Sequence, residues 1–110
     1  MVGPKLIFTE EKNNLRVISK TTAETIDEML EEVMLTGTAS GEWILPVRGK
    51  TGTAEAALLG EQINNCFFSG YFYVAEKTYA VTVLVENGIT GGTSAVPVFK
   101  TIHNYFADNL

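Results

Sequence analysis

Residues 48–55, Arg-Gly-Lys-Thr-Gly-Thr-Ala-Glu, hold the side chains in this sequence that could do chemistry. Their Gly-Lys-Thr would suit a phosphate-binding loop if another glycine stood five positions before Gly49, because successive backbone N–H groups could then curl round the phosphates. That position holds Ile44, and the residues around it are bulky and include Pro46. A nucleotide site is therefore not expected. The alternative is a Lys-Thr-Gly-Thr segment whose ammonium and hydroxyl groups line a groove for a carboxylate.

The only cysteine and the only histidine do not supply a second reactive centre. Cys66 stands in a run of apolar and aromatic residues, which indicates a small buried strand residue rather than a nucleophile. A lone cysteine also cannot form an intrachain disulfide. His103 is interpreted as an ordinary position on a terminal helix. Because there is no second histidine and no zinc-finger spacing, no metal and no cofactor are expected.

The composition predicts a folded chain with little affinity for polyanions. With 110 residues, 45% of them hydrophobic and 19% charged, the chain is one domain or part of one and should bury a core. A net charge of -5 argues against nucleic acid or an anionic membrane as the main partner. No apolar run approaches the ~20 residues that cross a bilayer. The first residues lack the features of a signal peptide, so we expect a soluble chain without an export signal.

The strongest local pattern is an amphipathic helix over residues 21–34. Thr21 and Glu24 have the spacing of a capping box, and Gly37 is placed to end the helix. Acidic residues occupy one side of this helix. The opposite side is apolar and is made by Ile26, Met29, Leu30, Val33 and Met34.

The remaining patterns favour strands around the Lys-Thr-Gly-Thr segment. Two short apolar runs, residues 5–8 and 15–19, precede the helix and are predicted to be extended. Residues 43–55 are β-favouring, and Pro46 makes them an edge strand. Residues 56–65 are predicted to be a connection, and residues 66–75 and 78–87 an antiparallel hairpin. Since nearly every hairpin position is apolar, we expect burial on both faces.

A second helix ends the chain, with Ser94 as its predicted N-cap and Pro97 in its first turn. The paired glycines Gly91 and Gly92 are interpreted as a tight loop before it. The predicted fold class is therefore α+β: an antiparallel sheet of the motif strand plus the hairpin, packed with a helix from the N-terminal side and a C-terminal helix. Without a repeat or linker, residues 1–110 are expected to form a single partial domain.

Five segments in order resemble the C-terminal part of the transpeptidase domain of penicillin-binding proteins, in the serine β-lactamase and penicillin-binding protein superfamily. They cover nearly the whole chain. They are residues 17–39, 47–55, 64–72, 79–88 and 91–102, including Val-Arg-Gly-Lys-Thr-Gly-Thr-Ala-Glu, Phe-Ser-Gly-Tyr-Phe and Val-Glu-Asn-Gly. The resemblance implies a partial transpeptidase-like fold. It also implies a parent enzyme that cross-links peptidoglycan by serine acyl transfer, binds β-lactams, and is extracytoplasmic and membrane-anchored in bacteria.

The same resemblance implies roles for four residues. Lys50 would position a proton-relay serine and supply positive charge, while the hydroxyls of Thr51 and Thr53 would bind the terminal carboxylate of a peptidoglycan stem peptide or of a β-lactam. Gly52 would let the substrate lie close to the strand. The backbone N–H of Thr53 would be one donor of the oxyanion hole. Without the resemblance, Lys50 would be interpreted as a solvated strand lysine, and both threonines as ordinary strand residues.

Two catalytic elements of the family are missing from the sequence. A Ser-x-x-Lys element would supply the nucleophile and its base, and a Ser-x-Asn element would complete the site. No serine in the chain has a lysine three positions later or an asparagine two positions later; the serines are Ser19, Ser40, Ser69 and Ser94. Enzymatic activity is therefore uncertain, and we expect the chain to be inactive in isolation.

Three functions stay open at this point. The chain could be a fragment of a penicillin-binding transpeptidase domain, a non-catalytic module that binds stem peptides or β-lactams, or a half-domain that complements a partner chain. By resemblance, the strand at residues 78–85 would lack a neighbour, and an apolar bare edge is a template for pairing with another chain. Either residues 5–8 fold onto this edge or two copies of the chain pair there. Of the two, we expect a homodimer formed through an exposed sheet edge.

Overall fold

The computed structural model describes residues 15–37, 39–58 and 60–110. The described elements are helix α1, Lys20–Thr36; strands β1, Val47–Leu58, β2, Glu61–Val74, and β3, Lys77–Val85; a short π-helical turn, Gly91–Ala95; and helix α2, Val96–Asn109. The α+β prediction is confirmed. The extended run predicted at residues 5–8 lies outside the described residues. Residues 15–18 are described and form neither helix nor strand.

The three strands form an antiparallel sheet in the order β1-β2-β3, so each strand pairs with its neighbour in sequence. The prediction that residues 56–65 form a connection is wrong. Those residues extend β1 and β2 into one long hairpin, in which Ala57 pairs with Gln62. Residues 61–65 are mostly polar and show no strand pattern, but backbone pairing does not depend on which side chains are apolar. Gly60, with a φ of 81°, supplies the turn.

The hairpin predicted over residues 66–87 is confirmed as β2 and β3. Its turn is formed by Ala75 and Glu76, which have φ values of 52° and 66°. Two successive positive φ values are typical of the type I′ turn, whose twist matches that of the flanking strands. The tight reversal places β3 directly beside β2, with Phe68 opposite Val83.

The core lies on one face of the sheet, beneath α2. The side chains that are completely buried come from β2 and α2, and the indole of Trp43 packs against Phe68 with the ring centroids 6.4 Å apart. These fully buried side chains are Cys66, Phe68, Phe72, Phe99 and His103. The prediction of burial on both faces is wrong for the hairpin. Burial alternates along β2, and Leu84 of β3 remains 51% exposed.

A pair of glycines makes room for the aromatic core. Gly49 and Gly70 are opposite each other on β1 and β2. A Cβ atom at Gly49 would lie 2.7 Å from the Phe68 ring, and one at Gly70 would lie 2.9 Å from it. Either side chain would therefore displace the ring, which packs edge-on against Phe99 with the centroids 4.5 Å apart.

Helix α1 begins at a different cap from the one predicted. The Ser19 hydroxyl accepts a hydrogen bond of 3.1 Å from the Thr22 backbone N–H, so Ser19 and not Thr21 is the N-cap. Both residues satisfy the sequence rule for a cap, and the helix adopts the longer form that starts at Lys20. Gly37 ends the helix as expected. Of the predicted apolar side, only Met34 is buried.

Helix α2 also starts without its predicted cap. The Ser94 hydroxyl accepts from the Ile89 N–H at 2.9 Å, within the preceding loop. The cap of the π-helical turn is Thr90, whose hydroxyl accepts from the Thr93 N–H at 3.1 Å. Because that turn already satisfies the first N–H groups, α2 continues from it without a side-chain cap. Pro97 lies in the first turn of α2 as predicted.

Candidate functional site

The Lys-Thr-Gly-Thr segment lies in the middle of β1, which is the outer strand of the sheet in the described part of the chain. The predicted edge strand is therefore confirmed. Lys50 is opposite Ser69 on β2, and Thr53 is opposite Cys66. One long side of this segment is paired with β2, so a ligand can approach its backbone only from the other side.

The side chains of the segment lie on opposite faces of the sheet, since successive residues of a strand alternate. Lys50 shares the α1 face with Arg48, and Thr51 and Thr53 share the α2 face. The Lys50 ammonium donates a hydrogen bond of 3.0 Å to the Thr51 carbonyl oxygen, so it lies along the strand rather than pointing away from it. The lysine and the two hydroxyls can meet one ligand only at the free edge of β1.

Gly91 packs directly on the backbone of this segment. Its N–H donates a hydrogen bond of 3.1 Å to the Thr53 hydroxyl oxygen. A Cβ atom at Gly91 would lie 2.8 Å from both the Gly52 and the Phe67 carbonyl oxygens and 3.0 Å from the Gly52 nitrogen. These are backbone atoms that cannot move aside, so no side chain fits at this position.

The same contacts define which backbone groups face the free edge. The Gly52 nitrogen and the Phe67 oxygen both lie within about 3 Å of one point at Gly91. This closeness fits a hydrogen-bonded pair, in which Gly52 and Phe67 direct their N–H and C=O groups at each other. In an antiparallel pair such residues alternate with residues whose backbone groups point outward. The backbone N–H group of Thr53 is therefore directed away from β2.

The loop that carries Gly91, residues 86–95, is held to the end of β2 by several hydrogen bonds. The Gly88 N–H donates to the Asn64 carbonyl oxygen at 2.8 Å, and the Asn64 side-chain amide donates to the Ile89 carbonyl oxygen at 3.3 Å. Gly88 lies so close to Cys66 that a Cβ atom there would be 2.8 Å from the sulfur. We call residues 86–95 the cover loop, since it lies over Cys66 and the adjoining part of β1.

On the α1 face, an ionic cluster joins the helix to β1 two residues before Lys50. The Arg48 guanidinium contacts Glu31 at 2.8 Å and Asp27 at 3.1 Å, and the Tyr71 hydroxyl donates to Asp27 at 2.5 Å. The Arg48 Nε hydrogen does not point at Asp27, although the distance is that of an ion pair, so that contact is Coulombic. The cluster fixes α1 across the start of the motif strand.

Tyr71 is the residue of this cluster whose protonation the surroundings change most clearly. Burial, the hydrogen bond to Asp27 and the negative charge of Asp27 together raise the pKa of Tyr71 to about 12, against the opposing effect of Arg48. This cluster was not predicted from the sequence. The signal available was the spacing of Asp27 and Glu31, which places two carboxylates on one side of α1.

Several cavities flank β1 on the α1 face. One of about 410 Å³ is lined by residues of the ionic cluster together with Pro46 and Thr78. A smaller one, of about 270 Å³, lies beside Lys50 under Leu30 of α1. Its floor contains Ser69 and Thr82, whose hydroxyls are hydrogen-bonded to each other across the strands.

The other residues singled out from the sequence belong to the core. Cys66 is buried, as predicted. His103 lies on α2 as expected, but it is completely buried, and its ring nitrogens contact the Leu45 carbonyl oxygen and the Asn104 side chain. The residues that the structure describes contain no group of three or more His, Cys, Asp or Glu side chains that could hold a metal ion. Neither α1 nor α2 is long and apolar enough to cross a membrane.

The order of the elements and the antiparallel sheet are consistent with a partial transpeptidase-like fold. Comparison with known families matches residues 1–104 to the penicillin binding protein transpeptidase domain. The match covers most of the chain, which therefore belongs to this family and represents a part of that domain. Neither the curated proteins nor the solved structures gave a match.

Proposed function

We propose that this chain supplies the carboxylate-binding strand of a D,D-transpeptidase site but does not carry out acyl transfer by itself. The observation that carries the proposal is the position of Lys50, Thr51 and Thr53 on β1, the outer strand of the sheet in the described part of the chain, which belongs to the transpeptidase family. Residues 1–110 would form a single partial domain. The ligand would be the C-terminal carboxylate of a peptidoglycan stem peptide or the carboxylate of a β-lactam.

The backbone of the motif strand supports peptide binding. An extended peptide can add to a sheet edge by forming main-chain hydrogen bonds with outward N–H and C=O groups. The outward N–H of Thr53 suits this mode, and Gly52 beside it has no side chain to hold the peptide away. Lys50 adds a positive charge in a chain of net charge -5, so it would attract a carboxylate locally.

The register also supports an oxyanion role for the Thr53 backbone N–H. This group is directed to the free edge, where the attacked carbonyl of a bound peptide would lie. A preorganised N–H donor stabilises the negative charge that develops on that oxygen. In the complete site the second donor would come with the nucleophile, so the Thr53 N–H alone is not expected to catalyse a reaction.

Three of the four serines have other structural roles, which supports inactivity in isolation. Ser19 caps α1, Ser69 is hydrogen-bonded to Thr82, and the Ser94 hydroxyl accepts a hydrogen bond within the cover loop. None of them has a lysine three residues later that could act as a base. The parent enzyme would be extracytoplasmic and membrane-anchored. Its nucleophile would come from residues other than these serines.

Intact-protein mass spectrometry after incubation with a reactive penicillin tests the catalytic half of this proposal. We expect the unmodified mass, since acylation needs an activated serine. A stable adduct would show that one of these serines is a nucleophile, and the proposal of an inactive chain would be wrong. The native mass recorded in the same experiment reports the oligomeric state.

Amide NMR titration tests the binding half, with acetyl-D-alanyl-D-alanine as the probe and its C-terminal amide as the comparison. We expect the carboxylate form to shift the Thr51 and Thr53 signals and to bind more tightly than the amide. Lys50→Ala should weaken binding of the carboxylate about tenfold, the typical loss for a hydrogen bond to a charged group.

Lys77→Ala, at the exposed start of β3, is the control and should bind as the wild type does. Both Lys50→Ala and Thr51→Val should change the free energy of unfolding by less than about 0.5 kcal/mol, since neither side chain belongs to the core. Equal affinity for the carboxylate and the amide would contradict carboxylate recognition.

We also propose that two copies of the chain pair through β3. In the described part of the chain, β3 has a strand neighbour on one side only, and its outer side leaves backbone N–H and C=O groups without strand partners. Ile26 and Met29 of α1 are 42% and 63% exposed, which leaves further apolar surface for association. Complementation by a different chain is the alternative outcome of the same test.

A further inference from the structure

We infer that Gly91 is a positioning residue for ligand binding: its backbone N–H fixes the Thr53 hydroxyl as a hydrogen-bond donor toward a bound carboxylate. The inference rests on the proposed function, since it gives the Thr53 hydroxyl a carboxylate partner. It adds a residue outside the motif strand, 38 positions further along the chain, on which the recognition of that ligand depends.

The donor role follows from the hydrogen-bonding capacity of the two groups. A threonine hydroxyl has one hydrogen to donate and two lone pairs that accept, whereas a backbone N–H can only donate. In the 3.1 Å contact from the Gly91 nitrogen, the Thr53 oxygen must therefore be the acceptor. The hydroxyl hydrogen is left for another partner, and Thr53 is exposed to solvent, where a ligand could take that place.

A carboxylate suits this arrangement because it can only accept hydrogen bonds. A hydroxyl that accepts one hydrogen bond becomes a better donor in another, since the two bonds polarise each other. The Gly91 N–H thus restricts the rotation of the Thr53 side chain and favours its donation to an anion. A ligand group that needs an acceptor at this point, such as a terminal amide N–H, would form a weaker hydrogen bond with the Thr53 hydroxyl.

Gly91 can hold this position because it has no side chain. It is buried, and a Cβ atom would lie 2.8 Å from the Gly52 and Phe67 carbonyl oxygens. Alanine would therefore push the cover loop away from β1 and break the hydrogen bond to Thr53. The loop is in turn continuous with α2 through buried Ala95, so its position depends on how α2 packs on the sheet.

A purely structural interpretation of the same contact also exists. The first N–H groups of a helical turn need acceptors, and the Thr53 hydroxyl is one. That interpretation predicts that breaking the contact lowers stability but leaves ligand preference unchanged. The positioning role predicts a change in the preference for carboxylate over amide, so the ratio of the two affinities separates the interpretations.

The experiment measures the affinities of the full chain for acetyl-D-alanyl-D-alanine and for its C-terminal amide, in the wild type and in Gly91→Ala. We expect Gly91→Ala to lose about tenfold in affinity for the carboxylate and to bind the amide as before. Thr53→Val should show the same selective loss, and Thr53→Ser, which keeps the hydroxyl, should restore the preference. Thr101→Val is the matched control, because it removes an α2 hydroxyl that bonds to Pro97.

Backbone amide exchange gives a second measurement that does not depend on Gly91→Ala folding. In the wild type, the Gly91 N–H should exchange slowly and its signal should shift when the carboxylate probe binds. Thr53→Val should accelerate its exchange about tenfold or more, and Thr53→Ser should reverse this. Two results would overturn the inference while leaving the proposed function intact. One is a Gly91 signal that does not shift when the carboxylate probe binds. The other is a folded Gly91→Ala variant that keeps the wild-type preference for carboxylate over amide. A wild type without any preference for the carboxylate would overturn both.

Discussion

Tyr71 shows how a single residue in the ionic cluster couples the fold to pH. Its hydroxyl donates to the Asp27 carboxylate at 2.5 Å, so losing the proton would place two negative charges side by side. The pKa of Tyr71 is raised to about 12 from the usual 10.0, with burial as the largest cause. The folded chain therefore holds a proton that the unfolded chain loses above about pH 10.

We expect the contribution of Tyr71 to stability to be complete below pH 10 and to be lost as the pH rises toward 12. The reason is that a raised pKa of an acid favours its neutral form in the folded state, and this form disappears as the pH passes the folded pKa. The measurement is the urea midpoint of unfolding at a series of pH values between 8 and 12 for the wild type and for Tyr71→Phe.

The difference in urea midpoint between the wild type and Tyr71→Phe reports the contribution of Tyr71, because lysine deprotonation affects both proteins alike. It should shrink as the pH rises through this range. Tyr105→Phe, at an exposed position of α2, is the control and should follow the wild type. If Tyr71→Phe has the pH dependence of the wild type, Tyr71 does not have a raised pKa in the folded chain.

For single residues, the sequence predicted the element and the burial of a residue better than its contacts with residues far along the chain. The position of Lys50 to Thr53 on an edge strand followed from β-favouring residues after Pro46, and the burial of Cys66 followed from its apolar neighbours. The contact between Gly91 and Thr53 could not be predicted, because nothing in local sequence indicates a contact over 38 residues. The roles of Lys50, Thr51, Gly52 and Thr53 stay predictions until a ligand is bound.

Among the elements, the hairpin of β2 and β3 contains an improvable turn. Ala75 and Glu76 both adopt positive φ, a conformation that costs residues with a Cβ about 1–2 kcal/mol each. Asparagine and glycine adopt it more readily, and Asn-Gly is the preferred pair in a type I′ turn.

We therefore expect the double variant Ala75→Asn with Glu76→Gly to raise the free energy of unfolding by about 1 kcal/mol or more. Chemical denaturation of the variant and the wild type measures this difference. Thr78→Asn, just beyond the turn in β3, is the comparison and should not stabilise the chain, since an asparagine there meets no positive φ. A double variant less stable than the wild type would mean that the turn is not of this type.

The elements also show where sequence patterns fail. The helix over residues 21–34 was recognisable from its apolar side, but Ser19 and Thr21 satisfy the same capping rule, and only the packed structure selects Ser19. Residues 56–65 are predicted to be a connection, whereas the structure pairs them as strands, because strand pairing is a property of the backbone. The ionic cluster draws its side chains from α1, β1 and β2, so it exists only once those elements have packed together.

For the whole molecule, the bare edge of β3 leads to a prediction about assembly. We expect the wild type to be a dimer in solution, with β3 strands of two copies paired. Leu84→Lys should shift the protein to a monomer, since a charged side chain on an edge strand opposes pairing between chains. Size-exclusion chromatography with light scattering, over a range of protein concentrations, measures the mass.

Ile89→Lys is the control for this experiment. Ile89 is 71% exposed but lies in the cover loop rather than in the sheet, so its charge should leave the dimer intact. A wild type that remains a monomer at every concentration would contradict self-pairing. Dimers in both variants would show that the two copies meet elsewhere.

The burial of Cys66 makes the reactivity of its thiol a measure of local opening in this part of the chain. Its thiol has no exposed surface and is covered by Gly88, so a thiol reagent can reach it only after the cover loop has lifted. The same lifting takes Gly91 away from Thr53. The rate at which a reagent consumes the thiol, measured well below the global unfolding transition, therefore reports how often the loop opens above the motif strand. Since the chain has no other cysteine, that rate belongs to this one event.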